Sequence, residues 1–251
     1  MRNPFDLSGQ TAMVTGANTG IGQAIAVALA EAGASIVAVG RSSMDETAQL
    51  VSDAGSRIHA ITADLGSIEP IASIMSEALS TFTRLDILVN NAGIIRRSNA
   101  IDFTEADWDA VMDINLKTAF FLSQAAGRMM IAQGRGKIIN IASMLSFQGG
   151  VRVPSYTASK SGLAGLTRLL ACEWAASGVN VNAIAPGYFV TNNTQALRDD
   201  AERSASILSR IPAGRWGEPS ELGGAAVFLA SSASDYVHGA ILPVDGGWLV
   251  R

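Results

Sequence analysis

The chain carries a single cysteine, Cys172, and two histidines, His59 and His238, among its 251 residues. One thiol cannot form an intrachain disulfide, which fits a reducing compartment. Cys172 lies in the apolar, helix-like run LLACEWAA and reads as a small buried core residue. His59 and His238 fall in or near strand-like runs and read as structural. No residues cluster at metal-ligand spacing, so no metal is expected. No long basic run is present. The net charge is −4 and the pI is about 5.2, so nucleic acid is not an expected partner. No stretch reaches the ~18 uninterrupted apolar residues of a membrane span. The opening MRNPFDLSGQ has no apolar signal-peptide core. A cytoplasmic protein with no membrane partner is the expectation. No short repeat, low-complexity tract or Pro/Ser-rich linker interrupts the chain, so residues 1–251 are expected to form one domain.

What is present is apolar sequence in short blocks. Apolar residues make up 48% and charged residues 16%, enough for a large core. Strand-length runs occur at 11–15, 35–39, 57–62, 86–90, 137–142, 179–185 and 240–244. Most are nearly continuous in hydrophobicity, as strands covered on both faces of a parallel sheet are. Helix candidates lie between them at 21–33, 44–54, 67–82, about 104–134, about 154–177 and 219–231, with Gly33 as the first C-cap. Seven strands alternating with helices predict an α/β fold with a doubly wound sheet. The polar stretch 187–216 breaks the rhythm after a strand and reads as a lid over a ligand.

Between the first strand and first helix runs TGANTGIG, with Gly16, Gly20 and Gly22. Glycine permits the sharp turn and the close approach of a phosphate, and the helix N-terminus then faces that anion. The spacing is GxxxGxG rather than GxGxxG, but it stands where a dinucleotide pyrophosphate would sit. After the second strand, the position for a ribose-binding acid holds Gly40, followed by Arg41 and Ser42. A guanidinium there suits the 2′-phosphate of NADP and leaves NADP open. Asp64, followed by Leu65 at the end of the third strand, is placed to accept a bond from an adenine amino group. NNAG closes the fourth strand with Asn90, Asn91, Ala92 and Gly93. The two asparagines also fit a local turn.

The stretch PSYTASK sets Tyr156 and Lys160 one helical turn apart. A free phenol has a pKa near ~10, too high for a base at neutral pH. A neighbouring ammonium lowers it and makes an acid/base for carbonyl–alcohol interconversion. Lysine also suits ribose hydroxyls. Ser143 follows a strand and precedes the tyrosine by a loop's length, and Asn115 lies on the preceding long helix candidate.

In TGANTGIG, NNAG, Asn115, Ser143, YTASK and the PG of Pro186–Gly187, in that order, the chain resembles the short-chain dehydrogenase/reductase family over almost its whole length. The resemblance implies a Rossmann-type doubly wound seven-stranded parallel sheet with helices on both faces, NAD(P) binding and a homotetramer. It implies Tyr156 as acid/base, Lys160 as its modulator and ribose ligand, Ser143 on the substrate oxygen and Asn115 holding a relay water. It extends cofactor contact to Asn18, Thr19, Ile21, Ile184 and Thr191.

The longer run SMLSFQGGVRVPSYTASKSGLAGLTRLLACEWA, with NNAGIIRR, is similar to a branch acting on deoxy sugar acids of the 2-dehydro-3-deoxy-D-gluconate or 2-deoxy-D-gluconate type. That resemblance favours NAD, against the reading of Gly40 and Arg41. A substrate carboxylate needs a cation, and Arg96, Arg97 and Arg152 lie in loops near the expected pocket. Met144 and Gln148 are further candidates for its lining. A 3-oxoacyl thioester reductase would share the same four catalytic residues. A nucleotide-sensing binding protein would have no need of an intact Tyr156–Lys160 pair.

Overall fold

The computed structural model describes residues 3–251. Seven strands form one parallel sheet: β1 (Thr11–Thr15), β2 (Ser35–Gly40), β3 (Ile58–Thr62), β4 (Ile87–Asn90), β5 (Gly136–Ile141), β6 (Val179–Pro186) and β7 (Ile241–Val244). Their spatial order is β3-β2-β1-β4-β5-β6-β7. Every residue of β1, β4, β5 and β6 is buried, as in a sheet covered on both faces; the two asparagines that alternate with valines in β6, Asn180 and Asn182, donate to the Val237 carbonyl. Pro243 is tolerated because β7 is an edge strand.

Successive side chains of a strand feed opposite faces of the sheet. Ala12 and Val14 join Ile25, Leu29 and Leu229 in one core layer, where α1 (Gly20–Glu31) and α9 (Gly223–Ala230) cover the sheet. Met13 and Leu88 join Ile74, Leu122 and Leu170 in the other. That layer is closed by α3 (Ile71–Phe82), α5 (Ala119–Gln133) and α6 (Pro154–Trp174). The strand order reverses between β1 and β4, which opens a crevice at their carboxyl ends. The glycine turn and the NNAG segment leave the sheet at that point.

Three details depart from the sequence expectation. The helix expected over 104–134 is α4 (Glu105–Met112), a π-helical turn (Asp113–Thr118) and α5. The wide turn carries Asn115 inward, where its amide bonds both backbone groups of Ile94. The third helix begins at Ile71 rather than 67, after Pro70, since a proline disfavours helical geometry in the residue before it. Cys172 is exposed rather than buried. The buried face of α6 runs through Leu163, Thr167, Leu170 and Ala171, and the next residue turns outward.

Segment 187–216 contains two short helices, α7 (Gln195–Asp199) and α8 (Ala201–Leu208). Among the described residues, no helix is long and apolar enough to cross a membrane.

Candidate active site

A cavity of about 350 Å³ opens at the carboxyl ends of β1 and β4. Its phosphate end is built from the glycine turn. Gly16 and Gly20 hold φ of +64° and +58°, a region that side chains disfavour. Gly22 is needed for space: a Cβ there would lie 2.1 Å from the Gly16 carbonyl oxygen and 2.4 Å from Asn91 Nδ2. Asn91 clamps this turn, its Nδ2 donating to the carbonyls of Thr15 (2.9 Å) and Gly16 (3.2 Å). The Thr15 hydroxyl receives the N–H groups of Asn91 and Ala92, both at 3.0 Å. α1 therefore starts at the cavity wall with no acidic residue in its first turn, and its free N–H groups suit a pyrophosphate.

Asn18, Thr19, Ile21 and Arg41 also line the cavity, as do Asp64, Leu65, Ala92 and Gly93. Asn18 Nδ2 donates to Ser42 Oγ at 2.8 Å. A Cβ at Gly40 would meet Asn18 Oδ1 at 3.1 Å, so the bare Cα at 40 and the Asn18–Ser42 bridge fit together. Arg41 is exposed beside them and has no carboxylate partner among the described residues. Asp64 accepts the Gly66 N–H at 2.9 Å while also lining the cavity.

The reactive end gathers Ser143, Tyr156 and Lys160, with Pro186, Gly187 and Thr191 beside them. Ser143 follows β5 and accepts the Leu145 N–H at 3.2 Å. Pro154 starts α6, its fixed φ suiting the first helical turn, and this sets Tyr156 and Lys160 on one face. Burial pushes the Tyr156 phenol up, while the Ser143 hydroxyl and the Arg97 guanidinium pull it down. Burial lowers Lys160 to about 8. Its Nζ donates to the Ile141 carbonyl and stands 5.7 Å from the centre of the Tyr156 ring. Arg97, from another segment, thus joins the lysine one turn away as a cation that favours the phenolate.

Several residues singled out from sequence do not reach this cavity. Ile184 is fully buried mid-strand in β6, and its carbonyl is taken by the Ala142 N–H. Asn115 is buried beneath the wall, its Nδ2 also donating to Ser159 Oγ at 3.3 Å. Asn90 points into the core, bonding Ser123 (2.8 Å) and Asn140 (2.9 Å). Arg96 faces away, paired with Asp107 at 3.2 Å. Met144 is buried under the 187–216 segment, Gln148 is half-buried, and Arg152 is exposed with φ +64°.

The cavity also includes Ile94, Ile114, Phe189 and Asn192 to Thr194. Ile114 lies on the π-helical turn and the others in loops or in the short helical turn Asn192–Thr194, with no pattern in the sequence to mark them. No group of histidines, cysteines or acids among the described residues is placed to hold a metal.

Comparison with known proteins bears on this geometry. Residues 16–249 match a family model described as enoyl-(acyl carrier protein) reductase. The chain is 60% identical over 248 residues to 2-dehydro-3-deoxy-D-gluconate 5-dehydrogenase of Escherichia coli (strain K12), covering 98% of each chain. A solved structure from Agrobacterium tumefaciens with bound NADP is 58% identical, covers 100% of both chains and has a TM-score of 0.92. A gluconate 5-dehydrogenase from Burkholderia cenocepacia J2315, in complex with NADP and tartrate, is 42% identical over 99% of this chain and 98% of that one, with a TM-score of 0.94. Likeness of this extent, over a cavity shaped for a dinucleotide, identifies the chain as a member of the short-chain dehydrogenase/reductase family and an NAD(P)-dependent oxidoreductase.

Proposed function

We propose that the protein interconverts a secondary alcohol and a ketone on a deoxy sugar acid of the 2-dehydro-3-deoxy-D-gluconate or 2-deoxy-D-gluconate type, using NADP. The observation that carries the reading is Arg97: a guanidinium with no carboxylate partner among the described residues, held by the carbonyl of Asn193, a residue of the cavity lining. A cation beside that lining suits an anionic substrate. The curated relatives at 56–60% identity, named for such a substrate, support the same class. A thioester reductase is disfavoured because its substrate has no carboxylate at the reacting end.

The residues present fit the dinucleotide, since the glycine cradle leaves the room that a Cβ at Gly22 would fill. Bound there, its nicotinamide supplies or accepts the hydride. Ser143 donates to the substrate oxygen, and Tyr156 gives its proton to that oxygen in reduction and takes it back in oxidation. Lys160 holds ribose hydroxyls and returns the proton. Both side-chain ends of Asn115 are engaged, so a relay water must use its main-chain carbonyl, which the π-turn widens. Thr191 contacts the nicotinamide side. Gly40, Arg41 and the Asn18–Ser42 bridge support NADP over NAD, since no acid is present to repel a 2′-phosphate.

The chain acts as one cytoplasmic domain with 187–216 as its lid. The exposed Trp108, Tyr236 and Val250 support assembly into a homotetramer.

Initial rates test this reading, with NADPH and NADH offered beside five- and six-carbon keto-sugar acids and an acetoacetyl thioester. The expectation is turnover of a sugar acid at least ~100-fold above the thioester, with NADPH preferred, the span a correctly paired charge gives. A faster thioester rate overturns the substrate class, and a preference for NADH overturns the role of Arg41.

A further inference from the structure

Besides the two layers that cover the sheet, the described residues form a further apolar cluster with no strand residue in it. Met144, Ile207, Ile211 and Trp248 are buried there, and Tyr188 and Trp216 pack against them. The cluster draws on the turn after β5, on the 187–216 segment and on the chain after β7. Met144 follows Ser143 directly, and Tyr188 stands between Gly187 and Phe189. Ser143, Gly187 and Phe189 all line the cavity. The cluster therefore backs the reactive end rather than supporting the sheet.

Trp248 joins these segments. It is only 5% exposed. Its ring centre lies 4.9 Å from that of Tyr188, and the Arg210 guanidinium covers it at 4.1 Å. The chain reaches this place by a fixed route. After β7, the Asp245 carboxylate accepts the N–H groups of Gly247 and Leu249, both at 2.9 Å. Gly246 and Gly247 hold φ of +64° and +88°. A Cβ there would also stand 2.9 Å from Ile211 and 3.0 Å from Pro212. The turn thus folds back on residues 209–213, where the Ala213 N–H donates to the Gly246 carbonyl at 3.0 Å and Arg251 Nη1 to the Ser209 carbonyl at 2.9 Å. At the other end of the segment, the Gly187 N–H donates to the Val244 carbonyl at 2.9 Å. Both limbs of 187–216 are tied to β7 and the chain after it. Trp248 Nε1 has no hydrogen-bond partner among the described residues, so the ring acts through its apolar faces.

We propose that Trp248 is a positioning residue for the reaction: its ring holds the Ser143 turn against the returning limb of 187–216 and so fixes the Ser143 hydroxyl at the substrate oxygen. This rests on the role of Ser143 given above. The bond from the Leu145 N–H orients Ser143 within its own turn, but only the burial of Met144 in the cluster fixes that turn against the lid. A shift of about 1 Å at such a group costs about a hundredfold in rate.

The test uses the full enzyme and the variants Trp248→Ala and Trp248→Phe, with Leu29→Ala as a control. Leu29 is buried in the other core layer, near the end of α1 remote from the glycine turn. Trp248→Ala should cut kcat on a keto-sugar acid at least about tenfold, with the NADPH dissociation constant within about threefold. Trp248→Phe keeps an aromatic ring and removes a donor that has no partner, so it should recover most of kcat. Leu29→Ala should lower Tm and keep kcat within about twofold. Wild-type kcat in Trp248→Ala overturns the positioning role, and so does an equal loss in Leu29→Ala, which would mark general destabilisation. A phenylalanine variant as impaired as the alanine one overturns packing as the cause.

Hydrogen exchange reads the positioning without turnover. In Trp248→Ala, peptides covering 144–148 and 207–217 should exchange at least about tenfold faster, with α1 unchanged and Trp248→Phe close to wild type. Unchanged exchange in either segment overturns the proposal. If wild type turns over no sugar acid, the functional reading fails, and the exchange arm still judges whether Trp248 holds the Ser143 turn.

Discussion

Replacing Lys160 by methionine should make the protein more stable at neutral pH while weakening its function. The lysine is buried, with no carboxylate beside it, and burial lowers it from 10.5 to about 8. Its Nζ has one carbonyl partner, that of Ile141. A shift of this size corresponds to about 3 kcal/mol, at about 1.4 kcal/mol per unit. The unfolded chain holds the proton more tightly than the folded one. The cost is therefore complete below pH 8, shrinks between 8 and 10.5, and is gone above 10.5. Wild-type stability should rise across that window relative to Lys160→Met, which has nothing to titrate there. Between pH 7 and 9.5 the gap should move by about 2 kcal/mol in favour of wild type. Methionine leaves the Ile141 carbonyl without a donor, which offsets the gain at pH 7 by about 1 kcal/mol but does not depend on pH. Urea unfolding of both proteins at several pH values reads the difference directly, since all other titrating groups cancel. A gap constant to within about 0.5 kcal/mol would refute the claim that burial perturbs this ammonium.

Two further outcomes follow from the site. Tyr156→Phe should cut kcat by about 10³-fold or more while leaving the NADPH dissociation constant, read by fluorescence titration, within about twofold; near-wild-type turnover would remove the phenol from the proton path. Gly22→Ala places a methyl against the Gly16 carbonyl and Asn91, so NADPH binding should weaken at least about tenfold and stability fall by about 1–3 kcal/mol in thermal unfolding. Unchanged binding there would mean that the turn relaxes without disturbing the phosphate cradle.

The fold was largely legible because a parallel sheet buried on both faces leaves a strong mark. Runs such as SIVAV have no polar alternation, and their lengths separate them from helices. The glycine turn was legible for a steric reason, since only Gly22 fits against Gly16 and Asn91. The π-turn at Asn115 was not, because the inward bond from its amide to Ile94 is a tertiary event on an otherwise regular helical pattern. Cys172 misled because α6 is small and apolar on part of its outer face, so composition did not mark which side is buried. Arg96 and Arg97 are adjacent in sequence, yet one pairs with Asp107 and the other donates to the carbonyl of Asn193. Only the loop's path separates them.

Spacing alone made Lys160 the natural cause of an acidic phenol at Tyr156. The structure adds burial and a second cation to that account. Burial drives both partners toward their neutral forms, the phenol up and the ammonium down. What opposes this at the phenol is the Ser143 hydroxyl and, from another segment, Arg97. A neutral Tyr156 is the form that donates a proton, so near neutral pH the pair is set for reduction, and oxidation gains as pH rises. If the proposed substrate's carboxylate pairs with Arg97, it screens that charge and returns Tyr156 toward the proton-donating form, so the substrate's own anion tunes the group that reduces it.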